Sequence, residues 1–465
     1  MTTTTSSHTV YQQRRTRVAQ WLKAHGGGIA VLPTAPEVSR NRDNDYSYRP
    51  DSYFYYLSGF TEPGAWLVID DTGHSTLFCR AKNPDQEVWT GYRLGPDAAP
   101  EALAVDAAYP VEELDQQIPQ LLANQPAVWF PFATHTGLEA QITNWLKDVR
   151  ALVRTGVSCP QAQYDLCAVL DEMRLIKDAH EIELMRRAGE ISALGHMRAM
   201  QQCAQMIRAG EDVREYHLEA ELLHEFCRHG AQDVAFNSIV AGGANACILH
   251  YRAGKAAIHS GDLVLIDAGG EYGCYAGDIS RTFPANGRFS GPQRTLYDLV
   301  QAAQEAAIAA TAPGATFNDP HDAALRILSQ SMLDLGLLKK DTYGSVDDVI
   351  EQRAYFRFYM HRTSHWLGMD VHDCGSYVEP EVEPAAHHDA KTGKTTHIRP
   401  SRILRPGMAL TMEPGIYVQA ADDIPAEFHN IGIRIEDDAL VTENGCELLT
   451  RKAPVKADEI EALMR

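Results

Sequence analysis

Asp267, Asp278, Glu413 and Glu436 are carboxylates set inside or at the ends of apolar, strand-like runs: VLIDAGG, YAGDISRTF, LTMEPGIY and GIRIEDDALV. His365 stands in a fifth such segment, RTSHWLGMDVHD, between His361 and His372. A carboxylate embedded in an apolar strand must be paired or neutralised. Four of them brought to one point cannot all stay ionised unless a cation sits between them. Two divalent ions would balance the four negative charges, and that balance points to a two-metal centre in the C-terminal half of the chain.

Taken singly, each residue has a plainer reading. Asp267 and Asp278, joined by a chain that Gly269, Gly270 and Gly273 can turn back, could simply be turn formers at a strand end. His365 beside Trp366, Leu367 and Met369 could be a hydrogen-bonded core histidine, although three histidines in twelve residues make ligation or acid/base work an equal reading. Glu436 shares a strand face with Arg434, because Ile431, Ile433 and Ile435 alternate with them. Either glutamate could belong to a surface ion pair. Together, the five favour metal.

Residues 1–170 read as an α/β unit: a helix over 10–25 ending at Gly26-Gly27-Gly28, then strands IAVLP, WLVID and STLFCR, and a further strand AVWFPF. From 171 to 465 the order is helices (about 171–209 with an internal boundary, then 212–229), short strands with glycine turns, helices (291–311 and 319–336), and strands (408–418, 431–442, 446–450). That order predicts an α+β domain of two similar halves. Residues 379–401 are polar, proline-containing and non-periodic, and read as a surface insertion or loop with His387, His388 and His397 solvated. The Ser/Thr-rich N-terminus lacks the apolar core of a secretory signal and reads as a tail. The net charge of −20 over 465 residues disfavours nucleic acid as a partner, and no run is long and apolar enough for a membrane span. Nine cysteines without a CxxC pair fit a reducing cytoplasm.

These segments resemble the pita-bread metallopeptidases, which include aminopeptidase P, prolidase and methionine aminopeptidase. The similarity is greatest to the aminopeptidase P branch. All five ligand motifs occur in order, and RNRDNDYSYRPDSYFYYLSGFTEPGAWLVI and EVWTGYRLGPDAAPEAL resemble that branch's N-terminal domain, which methionine aminopeptidase lacks. The resemblance implies an N-terminal α/β domain serving oligomerisation and cleft restriction, followed by a pita-bread catalytic domain. It implies two divalent ions, usually manganese, held by Asp267, Asp278, His365, Glu413 and Glu436, with Asp278 and Glu436 bridging. An oxygen-rich site with one imidazole suits Mn²⁺, although Co²⁺ or Zn²⁺ could occupy it. Two ions roughly 3.5–4 Å apart share a water and lower its pKa, and the hydroxide attacks the scissile carbonyl. Glu413 serves as general base and acid.

The resemblance further implies that His250, His361 and His372 hold the substrate and stabilise the oxyanion. Arg434 orients the carboxylates, Tyr417 is an active-site tyrosine, and Trp89 is an aromatic lent to a neighbouring subunit, with local packing as its other reading. Asp43 belongs to the same rim. The implied reaction is release of the N-terminal residue from peptides with proline second, by a homodimer or homotetramer. The rivals are a prolidase restricted to Xaa-Pro dipeptides, a non-catalytic binding protein on the same fold, and a metal-free creatinase-like hydrolase. Two departures stand out. The 379–401 segment is longer than the bacterial pattern, and Pro400 replaces an arginine expected before Ser401, with Arg399 as its substitute.

Overall fold

The computed structural model of the chain describes residues 7–388 and 394–465. The Ser/Thr-rich stretch 1–6 and the tip of the insertion at 389–393 lie outside the described residues, as do the side chains of His387 and His388. The chain divides into two units, Met1–Met173 and Arg174–Arg465. No helix of the described residues is long and apolar enough to cross a membrane.

The N-terminal unit is built on one six-stranded sheet. Its strands run in the order Ala107–Pro110, Ser75–Cys79, Trp66–Asp70, Ile29–Pro33, Ala127–Phe130 and Ala162–Asp165. Ile29–Pro33 is buried along its whole length, as expected for a central strand with both faces covered. Trp66–Asp70 and Ser75–Cys79 form a hairpin. Its turn is held by Asp70 Oδ1, which accepts from the Thr72 amide at 2.9 Å, the Thr72 hydroxyl at 2.6 Å and the His74 amide at 3.0 Å. Helices Ser7–Ala24, Leu114–Leu122 and Leu138–Ala151 accompany the sheet, and Ile118, Leu122, Ile142 and Trp145 pack with Val31, Val68 and Phe78.

The C-terminal unit has two halves of similar plan. In the first, helices Ala179–Ala209 and Glu215–Arg228 accompany an antiparallel sheet of Ile239–Gly242, Leu263–Asp267 and Ser280–Pro284. In the second, helices Gly291–Ala310 and Asp319–Asp334 accompany strands Ala409–Met412, Gly415–Val418, Ile431–Arg434, Asp437–Thr442 and Gly445–Leu448. The long helical pattern expected from 171 breaks between Leu175 and Ala179. Asp178 caps the second part, accepting from the His180 and Glu181 amides, while the Glu181 carboxylate accepts from the Asp178 amide at 3.0 Å. Gly210 closes that helix in the left-handed conformation.

Three details differ from the expectations above. The insertion carries a two-stranded hairpin, Ala385–His388 against Thr395–Ile398, where a loop was expected. Thr395, Thr396 and Ile398 supply the β-branched residues that favour a strand. A short helix, Ala457–Leu463, ends the chain where no element was assigned. The run 431–442 is not one strand: Ile431–Arg434 pairs with Gly415–Val418, whereas Asp437–Thr442 pairs with Ala409–Met412. Both members of this ribbon thus break, at Glu413–Pro414 and at Ile435–Glu436. The two glutamates sit at the breaks, where the backbone changes partner: Glu413 N–H bonds Thr363 O at 2.8 Å and Glu436 N–H bonds Ser280 O at 3.0 Å.

Candidate active site

The first two acids are brought together by a close backbone approach. Leu263–Asp267 pairs antiparallel with Ser280–Pro284, with Asp267 opposite Ser280. Between them the chain leaves the sheet and returns, Ala268 N–H bonding Ile279 O at 3.0 Å and Gly277 N–H bonding Gly270 O at 3.2 Å. Only glycine fits at 269, because a Cβ there would lie 1.6 Å from the Gly277 carbonyl oxygen. Behind the excursion, the buried His196 donates from Nε2 to the Ala268 carbonyl at 2.9 Å. Gly269→Ala is expected to cost about 3 kcal/mol or more by overpacking against backbone and to weaken divalent-cation binding by parting Asp267 from Asp278. Denaturant midpoints and metal titration measure both; a variant matching the parent in both contradicts this role.

His365 is placed by a ladder that periodicity does not announce. Residues 363–367 run beside 409–413: Leu367 N–H bonds Ala409 O at 3.0 Å, Thr411 N–H bonds His365 O at 3.0 Å, and Glu413 N–H bonds Thr363 O at 2.8 Å. The second half then meets the first where Glu436 N–H bonds Ser280 O at 3.0 Å and Asp278 N–H bonds Asp438 Oδ2 at 3.0 Å. Ligand atoms of Asp278, His365 and Glu436 all fall within 4.8 Å of one another. His365 Nε2 lies 3.5 Å from Asp278 Oδ2 and 3.7 Å from Glu413 Oε1. Its Nδ1 is 2.9 Å from the Trp366 carbonyl, which fixes the proton there and leaves the Nε2 lone pair facing the acids.

These groups form the floor of a cavity of about 750 Å³ that also exposes Asp267, His250, His361, His372 and Arg434. Arg434 donates to Asp267 Oδ2 at 2.7 Å, to Ser280 Oγ at 2.8 Å and to Tyr417 Oη at 2.8 Å. Ser280 Oγ in turn donates to Glu436 Oε2 at 2.7 Å. One guanidinium therefore fixes one carboxylate directly and another through a hydroxyl. Its single positive charge does not balance the site. Burial and the neighbouring acids, Glu436 first, push the Asp278 carboxyl well above the carboxylate range. Burial and Glu413 do the same to Glu436. Burial pushes Glu413 up to about 8, against Arg434, which pulls the other way. Burial holds His365 down to about 4.

Among the described residues, Asp267 Oδ1 and Asp278 Oδ1 are buried without a hydrogen-bond partner. Orphaned carboxylate oxygens beside an imidazole lone pair and two glutamates make an oxygen-rich donor set suited to hard or borderline divalent ions. The residues fit such a group.

The expected site residues do not all sit alike. His250 and His372 line the cavity, and neither ring has a hydrogen bond among the described residues. The His372 ring stands edge-on to His365 at 4.2 Å. His361 is committed at both nitrogens, Nδ1 to the Arg362 carbonyl and Nε2 to the Tyr417 hydroxyl, each at 2.8 Å. Tyr417 is buried behind the cavity wall and reaches the site through His361 and Arg434. Its strand, Gly415–Val418, is buried throughout, and its ring does not line the cavity. Asp43 and Trp89 belong to the N-terminal unit and are not among the cavity's lining side chains. Trp89 is 84% exposed, so it packs no local core. Arg399 is also exposed and does not line the cavity, so it does not take up the role left by Pro400. His397 is exposed, in line with its reading as a solvated histidine.

Sequence reasoning missed Ser280, Thr282, Thr411 and Asp438. One signal was available: Asp278, Ser280 and Thr282 recur with period two and so share one polar face, opposite Ile279, Arg281 and Phe283. Thr282 Oγ1 donates to the Arg434 carbonyl at 3.1 Å, so that face clasps the segment bearing Glu436.

Residues 183–443 match metallopeptidase family M24, and residues 11–129 match the aminopeptidase P N-terminal domain. The chain is 43% identical to Xaa-Pro aminopeptidase of Escherichia coli K12 over 458 residues, covering 98% of this chain and 97% of that protein. The solved aminopeptidase PepP of Pseudomonas aeruginosa superposes with a TM-score of 0.89 at 42% identity, covering 97% of this chain and 98% of that one. The zinc-substituted E. coli aminopeptidase P in complex with product superposes with a TM-score of 0.88 at 42% identity, over 98% of both chains. With the acids and imidazole converging on the floor of its C-terminal unit and both domains matched in order, the chain belongs to metallopeptidase family M24 and is a pita-bread enzyme of the aminopeptidase P type.

Proposed function

We propose that this enzyme releases the N-terminal residue from peptides with proline in second position, using two divalent ions, most suitably Mn²⁺. The observation that carries the reading is the meeting of Asp278, His365 and Glu436 within 4.8 Å, with Asp267 and Glu413 on the same cavity floor. The name of the E. coli relative supplies the substrate class. Asp267, Asp278, His365, Glu413 and Glu436 would hold the ions, with Asp278 and Glu436 between them.

When bound, such ions polarise the scissile carbonyl and supply a nucleophile from water at neutral pH. Glu413 takes the proton released as water attacks and returns it to the departing proline nitrogen. Burial pushes its carboxyl pKa up to about 8, so the surrounding protein favours its charge only weakly. His250 and His372, with rings open to the cavity, hold the substrate and donate to the developing oxyanion. Arg434, Ser280, Tyr417 and His361 keep the carboxylates and Glu413 in place; His361 Nδ1 is 3.7 Å from Glu413 Oε2.

The proposed assembly is a homodimer or homotetramer acting in the cytoplasm, the compartment that the cysteine usage of the sequence suits. Val88, Trp89 and Tyr92 form an exposed apolar group on one short stretch, which supports docking to a second copy. Asp43 is proposed for the substrate rim with Trp89. Prolidase and a non-catalytic pita-bread protein are not favoured, because every ligand position is filled and the matched N-terminal domain is that of aminopeptidase P. The metal-free creatinase-like reading fails on the same ligand set. The Mn²⁺-loaded enzyme is expected to cleave Xaa-Pro-Xaa tripeptides. Turnover confined to Xaa-Pro dipeptides overturns the substrate assignment in favour of prolidase.

A further inference from the structure

The floor of the cavity is acidic, but its wall carries a cation with no acid in ion-pair contact. Arg362 lines the cavity, next in the chain to His361. Its NH2 donates to Asn318 Oδ1, a neutral amide that also lines the cavity. Among the described residues no carboxylate lies within ion-pair distance of Arg362. Arg362 acts on the Asp322 carboxyl only from beyond ion-pair distance, so in a protein with 62 acidic residues and a net charge of −20 its direct partner is an amide and not an acid. Arg434, deeper in, is already bound to Asp267, Ser280 and Tyr417. Arg362 is exposed at the wall and keeps free N–H donors in a planar fork suited to a carboxylate.

The cavity therefore has a sense of direction. Its buried acids would draw cations and, through them, the scissile carbonyl and N-terminal amine to the floor. Phe317, Asn318, Arg362 and Tyr377 line the same cavity and would face the leaving portion of the peptide. Phe317 and Tyr377 pack ring to ring at 4.7 Å and give that wall a rigid apolar surface. A volume near 750 Å³ is of the size that encloses small ligands, room enough for a short leaving peptide.

We propose that Arg362, steadied by Asn318, is a carboxylate-recognition site for the leaving peptide, and that it sets a preference for substrates bearing a negative charge just beyond the proline. The carboxylate has two sources, the free C-terminus of a tripeptide or an acidic side chain at the third position. This inference rests on the peptidase reading above and names a specificity for the same cavity.

The test compares Xaa-Pro-Leu, its C-terminal amide, and Xaa-Pro-Asp amide with the Mn²⁺-loaded enzyme and with Arg362→Gln. Calorimetric binding of Pro-Leu and Pro-Leu amide runs beside the kinetics. A partly exposed ion pair predicts an acid-over-amide preference in kcat/KM of about fivefold, carried by KM and largely lost in Arg362→Gln. Preference for the free acid identifies the C-terminus as the source; preference for Asp in the amide identifies the side chain. Arg362→Lys retains part of the preference, which a purely structural role would not produce. Equal preference in parent and Arg362→Gln, in turnover and in binding, overturns the proposal. So does a preference that instead follows Arg252→Gln, the other wall arginine. Binding selectivity without cleavage of any Xaa-Pro bond leaves Arg362 its role and refutes the peptidase reading instead.

Discussion

Asp278→Asn is expected to lower peptidase activity by about a thousandfold or more while leaving a folded protein. Loss of a group that merely orients a metal ligand costs about 10–100-fold, and Asp278 lies at the centre of the proposed donor set. The substitution keeps the side chain's shape and the backbone N–H bond to Asp438 Oδ2. It removes one negative charge from a site where four acids face one arginine and one neutral imidazole. Activity and bound metal should therefore fall together. The metal-free variant should at the same time resist denaturant at pH 8 at least as well as the metal-free parent, because the cost of keeping a buried acid protonated among other acids has gone. Activity within tenfold of the parent, measured with excess Mn²⁺, contradicts the placement of Asp278 between the ions.

Metal-free protein is expected to lose stability as pH rises, and divalent ions to restore more of it at pH 8 than at pH 6. The folded pKa values of Asp278, Glu413 and Glu436 lie above their unfolded values, so the folded state binds more protons than the unfolded one. Stability from this source is complete below the unfolded carboxyl value and is lost as pH climbs through the folded one. For Glu413 that window runs from 4.5 to about 8. Each such carboxyl contributes a slope of up to about 1.4 kcal/mol per pH unit inside its window. Cation binding displaces these protons, so affinity should rise by up to about tenfold per pH unit for each proton released. Saturating Mn²⁺ at about a hundred times its Kd adds about 2.7 kcal/mol of stability. Thermal unfolding with and without Mn²⁺ at pH 6, 7 and 8 measures the trend. A cation-induced shift that is flat or shrinks with pH contradicts a cluster of acids held protonated for want of a cation.

Much of this architecture is written locally. The alternation of Ile431, Ile433 and Ile435 marks a strand, Asp178 with Glu181 marks a helix start, and Gly269 with Gly270 marks the turn between two acids. Four carboxylates in apolar surroundings announce a cation before any coordinates exist. What escapes is whatever depends on contact between distant segments. The ladder of 363–367 against 409–413 has no period of its own, since Ser364 and Thr363 are buried among apolar neighbours. The breaks at Glu413–Pro414 and Ile435–Glu436 are set by a change of partner, which alternation alone cannot show. Ser280 looks like an ordinary polar residue until Arg434 and Glu436 close on it from over 150 positions away. His361 and Tyr417 look like free catalytic groups in sequence, yet they satisfy each other in space. Arg362 is one more basic residue among many until its lack of a carboxylate beside an acidic floor becomes visible.

Anomalous diffraction at the manganese edge, from crystals of this protein soaked in Mn²⁺, tests the gathering of these side chains round cations most directly. Two peaks roughly 3.5–4 Å apart, enclosed by Asp267, Asp278, His365, Glu413 and Glu436, are expected. Absence of any peak there under saturating Mn²⁺, or peaks bound to other residues, contradicts a two-metal peptidase.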